Sequence, residues 1–260
     1  MTEQFLDSVP ICGVYLLLFG VGIAVFEIGF RIGRWYQRRT PDEKEGITGT
    51  LVGSMLGLLA LLLAFTVGIS ESRFDTRRGL VMSEANAIGT TYLRAGYLPE
   101  PYHTEIRDLL REYVPLQIFT KNPLTLTTEI ERSAALQDEI WARTETLARE
   151  NPNSETVALF IETVNEMIDL HAERVMASVY ARVPDTLLLM LVFGGTLTVA
   201  LIGYNAGLTG NRSLLGAVLV IIIMAAVITI VFDLDRPRDG LVRVSQKPYE
   251  DLITEFSEPE

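Results

Sequence analysis

The sequence predicts an all-α integral membrane protein with four transmembrane helices and an extramembrane helical bundle inserted between the second and third spans. Three observations carry this. Residues 9–32, 47–69, 186–208 and 214–232 are apolar runs of about 20 residues, enough to cross a hydrocarbon layer of about 30 Å. Between the second and third runs, residues 71–183 hold eighteen acidic and twelve basic side chains. Apolar residues in that stretch recur at helical spacing, with no strand-like alternation. The chain therefore divides into a transmembrane hairpin (1–70), a helical domain (71–183), a second hairpin (184–232) and a polar C-terminal tail (233–260).

The 260 residues carry a net charge of −11, which argues against nucleic acid or an anionic surface as the main partner. Cys12 is the only cysteine, so no disulfide forms within the chain. His103 and His171, the only histidines, read as ordinary helix-surface residues, and no metal site or cofactor is expected. With no Ser-His-Asp or Cys-His set and no phosphate loop, the chain does not read as an enzyme.

The segment before the first run lacks the basic stretch of a signal peptide, so that run is expected to stay as a helix. Near its end Glu27 and Arg31 stand one turn apart and can pair, and Arg34, Trp35 and Tyr36 suit a membrane interface. The second run opens with Gly49, Gly53 and Gly57 at four-residue spacing, a small-residue face on which another helix can pack closely; Gly49 and Gly53 are the expected packing positions. No turn signal follows before Pro99, so this helix is expected to continue well beyond the membrane. Three further helices read as 102–119 with a break at Pro115, 127–150 with Thr127 as cap, and 154–182 capped by Asn153 or Ser154. Spans three and four are joined by a tight turn at 208–213, and a polar stretch, Asp233-Leu-Asp-Arg-Pro-Arg-Asp-Gly240, follows the last span.

Both hairpins join the helical domain on one side, which places both termini there. The turn at 33–46 is basic, a local vote for its being cytoplasmic. Basic residues summed over the helical side outnumber those on the other, and the total leans to a cytoplasmic domain.

Leu62-Leu-Ala-Phe65, Arg73-Phe-Asp-Thr-Arg-Arg78, Glu84-Ala-Asn-Ala-Ile-Gly89, Tyr92-Leu-Arg94 and Asp233-Leu-Asp-Arg-Pro-Arg238 resemble recurrent strings of the bestrophin-like proteins of bacteria, distant relatives of the bestrophin ion channels. The resemblance implies a multi-pass protein of the bacterial inner membrane, the helical domain in the cytoplasm, assembled as a homo-oligomer, a pentamer. Its partners would be the lipid bilayer and small inorganic ions, anions such as chloride. The second helix would line the pore, with Gly57, Leu61 and Phe65 at the neck. Gly57 departs from the family's apolar ring, and Phe74-Asp75 stands where bestrophins have a Trp pair. Arg73, Arg77 and Arg78 are candidates for the ion path or for an interfacial ion-pair set with Glu71, Asp75 and Glu84. Asp233, Asp235, Arg236 and Arg238 would latch the tail to the helical domain. The competing reading is a membrane-anchored sensor or scaffold whose helical domain binds a partner protein. A proton-driven stator finds only Glu27 as an acid within a span.

Overall fold

In the computed structural model, which describes residues 9–39, 45–118, 123–210, 214–236 and 240–258, the elements follow the apolar pattern closely. They are α1 (Ile11–Arg39), α2 (Glu45–Ala95), α3 (Tyr102–Tyr113), a 3-10 turn (Val114–Gln117), α4 (Pro123–Glu150), α5 (Glu155–Val175), α6 (Asp185–Thr209), α7 (Leu214–Asp235) and α8 (Lys247–Ser257). No strand occurs among the described residues. Helices α1, α2, α6 and α7 are each long and apolar enough to cross a membrane. The chain forms two compact units, one of residues 1–72 with 182–242 and one of 73–181 with 243–260. The expected tail is thus divided: its first part belongs to the span unit and its last part, with α8, to the helical unit.

In the span unit, α1 lies against α6 and α7. A Cβ added at Gly29 or Gly33 of α1 would strike the backbone of Ala200 or Tyr204, and one at Gly203 or Gly207 of α6 would strike that of Phe26 or Phe30. Glycine at these four positions lets the two backbones touch, a close approach of the small-residue kind. Phe26, Val199, Ala217 and Ile221 pack in one cluster, and Val14, Leu59, Leu188, Leu191, Ile228 and Val231 in a second. Gly210, with φ of 70°, ends α6 in the left-handed region that favours glycine.

The helical unit collects α3, α4, α5, α8 and the later part of α2. Ile106, Leu110 and Tyr113 of α3 keep an i, i+4, i+7 stripe, and all are fully buried with Leu136, Ile140, Leu147, Phe160, Val164 and Met167. Pro115 ends α3 where the break was expected and sits in the 3-10 turn. The Ser154 hydroxyl accepts from the Val157 N–H at 3.3 Å and caps α5, which closes in a π turn over Met176–Tyr180. α8 buries Tyr249, Leu252 and Phe256, and the Phe256 ring stacks on Tyr92 at 3.8 Å.

Candidate ion path and its supporting network

α2 has no proline among its 51 residues. Its membrane part buries one face: Leu59 is 4% exposed and Thr66 6%, with the Thr66 hydroxyl donating to the Leu62 carbonyl at 2.8 Å. The other face has no cover among the described residues. Gly53, Gly57, Ala60, Leu61, Ala64, Phe65 and Gly68 are all exposed. Only 11% of the most apolar window of α2 is buried, against 33% in each of α6 and α7. No atom lies within 4 Å of a Cβ built on Gly49, Gly53, Gly57 or Gly68. Among the described residues, close helix packing uses the glycines of α1 and α6.

Gly57, Leu61 and Phe65 share this open face, with Leu61 53% and Phe65 64% exposed. The three arginines that follow differ in burial. Arg77 is buried, Arg73 is half-buried and Arg78 is exposed.

The polar stretch after α7 has a different anchorage from the one expected. The Asp233 carboxylate accepts the N–H groups of Leu241, at 2.9 and 3.1 Å, and Val242, at 2.9 Å. Gly240 (φ 143°) permits this clasp, since a Cβ there would strike that carboxylate. Asp235 accepts from the Val183 N–H at 2.7 Å beside the start of α6, and Arg236 donates to the Val9 carbonyl at 2.8 Å just before α1. These bonds tie the end of α7 to the starts of two other spans, all inside the span unit. Arg238 lies outside the described residues.

The helical unit holds a buried polar network that the sequence did not reveal. The Glu84 carboxylate pairs with Arg174, both side chains fully buried. It also accepts from the Tyr249 hydroxyl at 2.5 Å and meets His171 Nδ1 at 3.0 Å. Arg174 donates onward to the Gln117 side-chain oxygen at 2.7 Å, and Gln117 donates to the Ser133 hydroxyl at 3.1 Å. Burial pushes the Glu84 carboxyl up, but its bond to His171, the Arg174 charge and the Tyr249 hydroxyl outweigh it and hold the group below its ordinary range. Burial lifts the Tyr249 phenol well above its usual range, so it stays a donor. His171 is thus a core residue and not the surface residue expected. Glu84 has Arg174 as its partner, ninety positions away, where the nearby arginines of α2 were expected. Proximity in sequence gave no signal for this set.

Four helices able to span a bilayer define a class: multi-pass α-helical membrane proteins. A sequence model of the bestrophin-like domain matches residues 20–249, and the chain belongs to the bestrophin-like family. Among solved structures it is similar to a bacterial bestrophin homolog from Klebsiella pneumoniae crystallised with single mutations. One such structure has 17% identity and a TM-score of 0.70 over 93% of this chain and 96% of that one. Another has 18% identity and a TM-score of 0.68 over 95% and 97%. At these identities the likeness establishes the shared fold. Comparison with curated proteins finds no match.

Proposed function

We propose that the chain is one subunit of a homo-oligomeric ion channel, a pentamer in the bacterial inner membrane with its helical unit in the cytoplasm. The open face of α2 lines the path. The observation that carries this is the composition of that face. Exposed positions of α6 and α7 bear bulky groups suited to lipid, among them Leu189, Phe193, Leu215 and Ile223. The open face of α2 instead alternates Gly53, Gly57, Ala60, Ala64 and Gly68 with Leu58, Leu61 and Phe65. Around a symmetry axis the small residues leave space, and Leu61 and Phe65 project into it as an apolar neck of the kind that gates by dewetting. Gly57 widens the approach. The resemblance implies small anions such as chloride as the permeant ions; of the arginines that could hold them near the path, Arg77 is buried and Arg73 half-buried.

Conductance of the purified protein in planar bilayers tests the reading. Leu61→Ala and Phe65→Ala are expected to carry larger currents than the wild type. Silence of all three, with insertion and oligomer formation verified, would favour a sensor or scaffold.

A further inference from the structure

We infer that the end of α1 is a binding site for an anionic phospholipid. This requires only that α1 crosses the membrane, so it holds or fails independently of the channel reading. At about 1.5 Å per residue the 29 residues of α1 run about 43 Å, the thickness of a bilayer with its headgroup layers. Arg31 to Arg39, past the apolar part of the helix, therefore lie at headgroup depth.

Two faces of this end match the two parts of a lipid. Ile28, Ile32, Trp35 and Arg39 stand at i, i+4, i+7 and i+11 on one face. Ile28 is 57% exposed, and Ile32 and Trp35 are 52% exposed each. Arg31, Arg34 and Arg38 stand at i, i+3 and i+7 on the adjoining face, and all are exposed. Arg31 is already matched, its Nε donating to Glu27 at 2.9 Å. The Arg39 guanidinium lies over the Trp35 ring, 4.1 Å from its centroid. Arg34 reaches toward the end of α6, where Gly210 leaves it room: a Cβ there would stand 3.2 Å from its Nη1. No hydrogen bond or ion pair engages Arg34 or Arg38 among the described residues. Although the chain carries −11 overall, no acidic residue falls between Glu27 and Asp42. Asp42 and Glu43 lie outside the described residues. Like charges one helical turn apart repel, and a phosphate between them accepts from both planar guanidinium forks. The apolar face identifies the source of that phosphate. With acyl chains along Ile28 and Ile32 and the Trp35 indole at the headgroup boundary, the occupant is a lipid and not the free ion.

The chain has two tryptophans, so in a Trp141→Phe background Trp35 alone reports the site. The protein is reconstituted in phosphatidylcholine vesicles containing acyl-brominated phosphatidylglycerol or, at equal mole fraction, acyl-brominated phosphatidylcholine. The anionic lipid is expected to quench Trp35 more strongly. Arg34→Gln and Arg38→Gln should each lower its relative affinity about fivefold, the scale of one basic residue at an anionic surface. Arg38→Lys should retain most of the preference. Arg149→Gln, which alters an exposed ion pair of the helical unit, should leave it unchanged. Equal quenching by the two lipids, or an unchanged preference in the Arg34→Gln/Arg38→Gln double variant, would overturn the inference. Loss of the preference on adding millimolar inorganic phosphate would do so too, marking a site for the free ion. Quenching by neither lipid would show that a second copy covers this face, and would equally overturn it.

Discussion

Replacing Glu84 with glutamine preserves the volume of a fully buried side chain but removes the negative charge that faces Arg174, Tyr249 and His171. Arg174 is itself fully buried, so its guanidinium would stay in the core after losing the carboxylate it pairs with. Breaking a buried pair in this way costs about 3–5 kcal/mol, a large share of the roughly 5–15 kcal/mol that holds a domain folded. Tyr249→Phe deletes one bond to a charged acceptor and should cost less, about 1.5–3 kcal/mol. The chain's two tryptophans supply the assay. Trp141 packs against the core of the helical unit, whereas Trp35 lies near the end of α1. In a Trp35→Phe background, Trp141 fluorescence during urea unfolding reports the helical unit alone. The expected order of midpoints is wild type, then Tyr249→Phe, then Glu84→Gln. A Glu84→Gln cost below about 1 kcal/mol, or below that of Tyr249→Phe, would refute the reasoning. The pH dependence has a definite sign. Because the folded carboxyl is held below its ordinary value of 4.5, its contribution is fully present above that value and is lost as pH falls through the folded one. The gap between wild type and Glu84→Gln should therefore be full near neutrality and narrow only below about pH 4.5.

The glycines divide into two sets with opposite expectations. Gly203→Ala, whose Cβ would strike the Phe26 carbonyl, should lower the melting temperature of the protein in detergent, at a cost of about 1–3 kcal/mol. Gly57→Ala, which meets nothing among the described residues, should not destabilise the subunit fold, and equal losses in the two would undo the distinction. Asp233→Asn should weaken the clasp on Leu241 and Val242, with faster amide exchange at those two positions; unchanged protection there would show that other contacts hold the segment.

The spans were legible because each is a run of apolar residues, and length alone identifies such a run. The α3 stripe, the break at Pro115 and the Ser154 cap were legible for the same local reason, since the signal and the structure lie within a few residues of each other. The glycine stripes show where this stops. Four-residue spacing on α2 and on α1 and α6 looks alike in sequence, and only tertiary structure tells which set meets a backbone. α8 carried a readable pattern, Tyr249, Leu252, Ile253 and Phe256 at helical spacing, yet its position in a polar, acidic end disguised it as tail. The Glu84 network had no readable signal: its members come from α2, the 3-10 turn, α4, α5 and α8, and a single buried carboxylate leaves no periodic trace.

The seam between α1 and α6 has a mechanical consequence. Lipid tails are as apolar as leucine, so little solvent-driven force holds helices together within a bilayer. Cohesion there comes from how many atoms touch, and at Gly29, Gly33, Gly203 and Gly207 the main chains themselves are in contact. Glycine also has no side-chain freedom to lose when the seam closes. The membrane part of α2 has no such seam with its neighbours and is held by the side chains of Leu59, Leu62, Leu63 and Val67, which can change rotamer and slide. In the proposed channel, α1 and α6 therefore form the stiff frame. Widening the neck then calls for a small roll of α2 against that frame, which would leave the frame itself undeformed.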